Sequence, residues 1–376
     1  MPPAVANNIN DTDMRKAMAL AVKGRGRTAP NPMVGAVVVK KGRIIGRGYH
    51  ARAGLAHAEV VALDNANVGK TGRALGGAGG ADLYVTLEPC PVFGRTPPCT
   101  DAIIEAGIKR VFVGAGDPNP KVRGRGVRKL RQAGIVVTTG ILKAECVAIN
   151  VAYNKHIVSG LPYVTLKLAT SLDGRIAASS GDSTWITSKE SRSYVHELRN
   201  TVDCVMVGSG TALADNPRLT TRGVKGGRNP MRAVLDSSLS LPPDANIFKS
   251  ARKTGVFVFT GKAASAKKAD ILTAKGATVI RVQTTKAGLS LKAVLKELGG
   301  RGVTDLMVEG GGVLAAGLLK AGLVDKVLWF TAPLIIGAGG LPSVAELGGK
   351  DMSRALRFKD IKIKTFGTDV LVEGCF

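Results

Sequence analysis

Short apolar or β-branched runs alternate along this chain with stretches in which apolar side chains recur every third or fourth position. Met14, Ala17, Met18 and Ala21 have helical spacing over residues 13–21, and the run 34–39 is turned back by Lys41-Gly42 into a second strand over 43–48. The pattern continues with a helix over 57–63, a strand over 82–87, a helix over 100–106 stopped by Gly107, a strand over 110–113, a helix over 126–133 and a strand over 135–139. Such alternation predicts a layered α/β domain whose sheet carries helices on its faces. The glycine-rich stretch 69–80 reads as a spacer loop.

Around residues 150–162 the alternation lapses, then restarts with a strand over 163–169, so a domain boundary is expected there, between 1–158 and 159–376. Thr187-Ser188-Lys189-Glu190 has the form of a capping box opening a helix to Arg199. Strands follow over 203–207, 232–235, 256–259, 278–282 and 305–309, the last running into Gly310-Gly311-Gly312 and an apolar helix over 313–321. No internal repeat relates the halves.

A length of 376 residues suits two domains. The longest uncharged apolar run, 327–345, is interrupted by Pro333, Gly337, Gly339, Gly340 and Pro342, which disqualifies it as a membrane span and suggests a buried strand with a glycine loop. Residues 1–13 have no basic residue and no continuous apolar stretch, unlike a secretory or transit signal, so cytoplasmic residence is the expectation. Five cysteines, an odd number, argue against a disulfide framework and suit a reducing compartment; Cys146, Cys204 and Cys375 read as structural. A net charge of +25 invites polyanions. The basic residues are spread from Arg15 to Lys364, however, and aromatics are only 4%, which leaves few rings for stacking on bases. A phosphorylated substrate and a pyrophosphate cofactor would profit from the same field.

The sharpest chemical signal is His57-Ala58-Glu59 followed by Pro89-Cys90 and Cys99. One imidazole and two thiolates would hold one zinc ion per chain and keep its fourth position for water, while Glu59, not a ligand, moves protons. Bound zinc brings the pKa of its water to about 7, so a nucleophile for an amino-bearing ring carbon is available at neutral pH. Eight residues separate the cysteines where the deaminase template has two; tetrahedral geometry constrains the sulfurs, not the chain between them, and Pro97-Pro98 stiffens the loop. The ligand segments are expected at helix starts, where free amides favour thiolate. Two buried free thiols beside a core histidine would leave Glu59 unexplained. In the second half, Gly310-Gly311-Gly312 and Gly208-Ser209-Gly210-Thr211 follow strands, an arrangement that suits phosphate but marks tight turns as often. With Asp215, Asp236-Ser237 and Trp185 they suggest one mouth assembled from several strand ends.

These residues resemble the bifunctional pyrimidine deaminase and reductase family of riboflavin biosynthesis. The resemblance covers nearly the whole chain. It rests on Ala29-Pro30-Asn31-Pro32-Met33-Val34-Gly35, Gly46 to His50, His57-Ala58-Glu59, Leu87-Glu88-Pro89-Cys90 and Gly94-Arg95-Thr96-Pro97-Pro98-Cys99 in the first half. In the second it rests on Ser171-Leu172-Asp173-Gly174-Arg175, Trp185-Ile186-Thr187, the segment from Leu213 to Thr220, and Glu309-Gly310-Gly311-Gly312. It implies a cytidine-deaminase-like layered α/β zinc domain followed by a dihydrofolate-reductase-like α/β domain. It also implies two consecutive reactions, removal of a pyrimidine amino group and NADPH-dependent reduction of the ribosyl moiety to ribityl. By this resemblance zinc lies on His57, Cys90 and Cys99, and Asn31 and His50 touch the deaminase substrate. NADPH lies against Ala169, Trp185, Thr211, Asp215, Ser237 and the segment Gly311, Gly312, Val313, Leu314, Ala315, Ala316, Gly317. The reductase substrate meets Ser183, Arg199, Leu219, Arg222 and Glu309, with Lys167 close to the reacting centre. Arg199 and Arg222 have the planar forks to clamp a phosphate. His156 and His196 match no catalytic position and read as helix-surface or linker residues.

One departure from the family pattern falls beside the metal: Pro91-Val92 replaces the usual Ser-His. Metal binding is untouched, substrate orientation is at stake, and His50, Lys70 or Arg95 are the candidates to compensate; the deaminase is expected to be active. Two other readings compete with the bifunctional enzyme: a nucleic-acid base deaminase or RNA-binding protein, and a reductase whose zinc half is structural. A phosphorylated pyrimidine as partner, no specific nucleic acid, no membrane and a homo-oligomer complete the expectation.

Overall fold

The structure is a computed structural model and describes residues 11–67, 77–94, 96–348 and 351–376. Lys70, Arg95 and most of the stretch 69–80 lie outside the described residues. The chain divides into two units, Met1–Ser159 and Gly160–Phe376.

The first unit runs α1 (Asp11–Ala21), β1 (Gly35–Lys40), β2 (Arg43–Tyr49), α2 (Ala58–Asn67), β3 (Asp82–Leu87), α3 (Cys99–Glu105), β4 (Arg110–Ala115), α4 (Arg125–Gln132), β5 (Val136–Thr139), α5 (Lys143–Ile149) and α6 (Val151–Ser159). The sheet order is β2-β1-β3-β4-β5, antiparallel on either side of β1 and parallel from β3 to β5. Period-two alternation along β1 divides its side chains between two cores. Ala36 and Val38 pack with residues of α2 and α3, whereas Val37 and Val39 pack with Met14 and Ala17 of α1 and Tyr153 of α6. The lapse read at 150–162 is therefore corrected: most of it is helix α6, hidden because only Tyr153 on that helix is buried.

Helix α2, which follows His57 and begins with Ala58 and Glu59, sits unusually close to the sheet. Its small residues Ala58, Ala62 and Ala66 face Gly46 and Gly48 on β2; a Cβ at Gly48 would lie 2.1 Å from the Ala58 carbonyl oxygen and one at Gly46 2.1 Å from that of Ala62. A methyl group at Gly48 must push the helix outward and the zinc-side residues with it. Gly48→Ala is expected to cost about 1–3 kcal/mol by overpacking. Thermal unfolding and zinc content measured together should fall together.

The second unit comprises β6 (Tyr163–Thr170), β7 (Arg175–Ala177), α7 (Lys189–Thr201), β8 (Cys204–Gly208), α8 (Ser209–Asp215), β9 (Met231–Leu235), β10 (Val256–Gly261), α9 (Ala266–Ala274), β11 (Ala277–Val282), β12 (Thr284–Thr285), β13 (Gly288–Leu289), α10 (Leu291–Gly300), β14 (Asp305–Glu309), α11 (Gly312–Lys320), β15 (Lys326–Thr331), β16 (Leu341–Pro342), β17 (Asp360–Phe366) and β18 (Asp369–Cys375). Its nine-stranded sheet has the order β11-β10-β9-β8-β14-β6-β15-β18-β17, parallel through β15 and closed by an antiparallel β17–β18 hairpin. Parallel strands buried on both faces explain the continuous apolar runs. Cys204 and Met206 enter one core, Val205 and Val207 the other.

Two expectations need correction here. Ser188, not Thr187, caps α7: its hydroxyl accepts from the Ser191 N–H at 3.2 Å, because the helix starts one residue later than a Thr187 box requires. Gly208-Ser209-Gly210-Thr211 is not a loop; Gly208 is the N-cap and the other three form the first turn of α8. Among the described residues no helix is long and apolar enough to cross a membrane.

Candidate active sites

His57 stands immediately before α2, with its carbonyl accepting from Val61, and Cys99 is the first residue of α3. Cys90 is not at a helix start as expected; it lies in the segment after β3, tied by its carbonyl to the Thr100 N–H at 3.2 Å. These three residues form the metal-competent His/Cys/Asp/Glu group found among the described residues, with ligand atoms all within 4.8 Å of one another. His57 Nδ1 is 3.0 Å from Cys99 Sγ and 3.6 Å from Cys90 Sγ, and the two sulfurs are 3.5 Å apart. Donors at zinc distances on three corners of a tetrahedron stand roughly 3.4–3.8 Å apart; the two edges to Cys90 match, the His57–Cys99 edge is shorter, and the N/S/S chemistry is that of a zinc site. The Cys90 thiol is pulled down, first by its hydrogen bond with Cys99 and then by His57, as a ligand thiolate requires. Glu59 is buried beside the triangle, and its pKa is raised to about 7, chiefly by burial and next by Cys90.

The substrate-side pair also converges there. The His50 ring lies edge-on to His57 with centroids 5.3 Å apart, and burial is the main cause that lowers its pKa. Its Nδ1 donates to the Ala56 carbonyl at 3.2 Å, which leaves Nε2 to accept from the Asn31 amide at 3.2 Å. Pro91 and Val92 are half-buried and Phe93 is 78% exposed.

Three supporting residues had no role in the sequence reading. Thr96 Oγ1 lies 3.3 Å from His57 Nε2 and can fix the ring that presents Nδ1 to the metal. Glu88 is buried and accepts from the N–H groups of Gly124, Gly126 and Val127 at 3.0, 3.0 and 3.2 Å, anchoring the Pro89-Cys90 segment to the start of α4. Asn150 grips both the N–H and the C=O of Met33 at 2.8 and 2.9 Å, holding the loop that carries Asn31. Glu88 had a signal, a lone carboxylate between an apolar strand and a ligand cysteine. Asn150, 117 residues from Met33, had none.

In the second unit the C-terminal ends of β6, β8, β9 and β14 open on a cleft of about 1720 Å³. Pockets for one small ligand measure roughly 300–1,000 Å³, so two ligands fit side by side. Lys167, Ser183, Arg199, Leu219, Arg222 and Glu309 line it, as do Ala169, Trp185, Thr211, Asp215 and Ser237. Gly311, Gly312, Val313, Leu314 and Gly317 complete its α11 side, with the Gly311 N–H donating to Thr211 Oγ1 at 3.1 Å. The side chains of Ala315 and Ala316 are not part of this lining: the turn of the helix carries both into the core, at 0% and 4% exposure.

Glu309 and Lys167 are partners in register on β14 and β6. Arg199 Nε and Nη2 reach the two Glu309 oxygens at 2.7 and 2.8 Å, and Nη1 donates to the Thr220 carbonyl at 3.2 Å. Burial alone would lift the Glu309 carboxyl, but Arg199 holds it below its ordinary value. Burial lowers Lys167, with Glu309 opposing. The fork of Arg199 is thus committed to Glu309 and only two of its five donors remain, so the expected two-arginine clamp falls mainly to Arg222. Burial and the adjacent Arg199 and Arg218 lower the pKa of Arg222, the mark of a place where an anion is favoured. Trp185 is 70% exposed with the Arg192 guanidinium 4.5 Å over its ring. His196 corrects another expectation: it lines the cleft, with Nδ1 donating to Thr220 at 3.0 Å, and burial followed by Arg199 and Arg222 keeps its pKa low.

Comparison with known proteins matches the family model described as RibD C-terminal domain to residues 162–372, and that of the cytidine and deoxycytidylate deaminase zinc-binding region to residues 8–115. The riboflavin biosynthesis protein RibD of Aquifex aeolicus is 44% identical over 97% of this chain and 98% of its own length. Its counterpart in Escherichia coli is 39% identical over 95% and 96%. Among solved structures, Acinetobacter baumannii RibD superposes with a TM-score of 0.86 at 35% identity, covering 97% of this chain and 98% of that one. The Thermotoga maritima diaminohydroxyphosphoribosylaminopyrimidine deaminase/5-amino-6-(5-phosphoribosylamino)uracil reductase gives 0.83 at 40% identity, with the same coverage.

Proposed function

Because this chain belongs to the RibD family of riboflavin biosynthesis, we propose that its two units catalyse consecutive steps on one phosphorylated pyrimidine, 2,5-diamino-6-ribosylamino-4(3H)-pyrimidinone 5′-phosphate. It is a zinc-dependent deaminase and an NADPH-dependent reductase in one chain. The observation that carries the residue assignment is the His57, Cys90 and Cys99 triangle with Glu59 buried beside it, in the same chain as the large cleft.

His57, Cys90 and Cys99 would hold zinc, which when bound would supply a water acidified to about neutral pH. Glu59 would take one proton from the attacking water and give it to the ring nitrogen, then carry the second proton, from the new C–OH, to the departing amino group, which leaves as ammonia while the carbonyl forms. Asn31 and His50, fixed through Ala56, orient the pyrimidine edge.

In the reductase cleft NADPH, held against Thr211, Ser237 and the start of α11, would supply the hydride that reduces C1′ of the ribosyl group. As the C1′–O4′ bond opens, the ring oxygen needs one proton, and Lys167, enclosed between Glu309 and Phe330, is placed to give it. Arg222 takes the 5′-phosphate, with Ser183 and the remaining donors of Arg199 beside it. Glu309 holds Arg199 and Lys167 together.

A coupled assay tests this reading. Zinc-loaded protein given the diaminopyrimidine is expected to release ammonia and consume NADPH in equal amounts. Stripping zinc with a chelator should stop both until the deaminated compound is supplied, whereupon NADPH consumption resumes. Zinc without ammonia release would favour the structural-zinc reading. Cytoplasmic residence, a homo-oligomeric state and the absence of specific nucleic-acid partners belong to the same proposal, supported by the free cysteines and the few aromatics.

A further inference from the structure

On α7 the residues that line the cleft recur at helical spacing: Arg192, Val195, His196 and Arg199. The reductase steps use Arg199 but leave His196 without a task. Both side chains converge on one acceptor. His196 Nδ1 reaches the Thr220 carbonyl at 3.0 Å and Arg199 Nη1 reaches it at 3.2 Å, so both lone pairs of that oxygen are engaged. A carbonyl only accepts, so Nδ1 carries the proton. Burial, and then Arg199 and Arg222, keep the imidazole neutral, and it adds no charge to a wall already rich in arginine.

The Thr220–Thr221 peptide is held at its other end as well, because the Thr221 N–H donates to Asn229 Oδ1 at 2.9 Å. The chain needs these grips. Leu219, just before this peptide, has a φ of 52° and is 3% exposed, a left-handed backbone that a bulky side chain keeps only when its surroundings hold it there. Arg222 follows just after it. A turn of the peptide plane therefore moves Leu219 and Arg222 together. Arg199 divides its donors between Thr220 and Glu309, whereas the Nδ1–H of His196 goes wholly to Thr220.

We propose that His196 is a positioning residue of the reductase: by fixing the Thr220 carbonyl it aims Arg222 at the 5′-phosphate, and so sets the preference of the cleft for a phosphorylated over a dephosphorylated substrate. It acts through Arg222 rather than on the reacting atoms. The inference rests on the assignment of the 5′-phosphate to Arg222. His196 is half-buried at the cleft wall, so its replacement opens no cavity in the core.

The test is steady-state reduction of the deaminated substrate, supplied directly, with and without its 5′-phosphate. His196→Phe fills the space without an N–H and should raise KM for the phosphorylated compound by about tenfold, the size of one lost hydrogen bond, while kcat falls by less than about threefold. KM for NADPH, and kcat/KM for the dephosphorylated compound, should stay within about twofold of wild type. His196→Ala, too small to clash with its neighbours, should show the same split. His196→Gln keeps an uncharged N–H donor and should recover most of the affinity. Equal losses for both compounds, an unchanged KM in His196→Phe and His196→Ala, or no recovery in His196→Gln overturns the positioning role while Arg222 keeps the phosphate. Arg222→Gln tests the premise: it should erase the preference for the phosphorylated compound, and a preference left intact overturns the phosphate assignment and the inference with it.

Discussion

Glu59→Gln is expected to reduce ammonia release by about 10²–10⁴-fold or more while zinc content and thermal stability stay at wild-type values. The amide has the size of the acid and adds no buried charge. Glu59 is 3% exposed and burial already favours its neutral form, so the substitution leaves the packing around Ala58 and Ala62 undisturbed. What it removes is the capacity to accept a proton from water and deliver it to nitrogen. The reductase provides the internal control: NADPH consumption on supplied deaminated substrate should stay within about twofold of wild type, since the described residues that line that cleft all belong to the second unit. Stoichiometric zinc with undiminished ammonia release would remove Glu59 from the mechanism. Loss of zinc instead would assign it a structural role at Cys99.

The zinc site was legible in the sequence because its chemistry needs particular residue types, and His57, Glu59, Cys90 and Cys99 are those types at intelligible spacings. Its supports were not. Glu88 reaches α4 across 36 residues or more, and Asn150 reaches Met33 across 117, distances at which no local pattern exists. Helix α6 hid behind a single buried tyrosine, and α7 begins one residue late because Ser188, rather than Thr187, meets the free N–H of Ser191. In the reductase unit, parallel strands announced themselves as apolar runs, but which side chains line the cleft depends on helix phase. Ala315 and Ala316 fall inside a continuous family segment yet face the core. His196 looked like a surface residue because the loop bearing Thr220 and Arg222, which covers it, is distant in sequence.

Glu309→Ala is expected to destabilise the protein by about 3–5 kcal/mol and to abolish NADPH consumption, with ammonia release by the first unit preserved. The loss follows from what remains: Arg199, whose side chain is 12% exposed, keeps a charge with no carboxylate, next to half-buried Lys167. The sign of the pH dependence follows too. Arg199 holds the folded-state pKa of Glu309 below its unfolded value, so the stability it contributes is fully present above about pH 4.5 and is lost as pH falls through the lower folded value. Wild type should therefore approach the Glu309→Ala variant in stability at the acid end, and their unfolding curves measured against pH should converge there. Replacing the pair together, as Arg199→Met with Glu309→Met, removes both charges at similar volume and should recover most of the stability with no reductase activity. Recovery of stability without activity makes the pair a device for holding Lys167 and the substrate in place, whereas recovery of both would reduce it to a packing element and leave Lys167 to act without it.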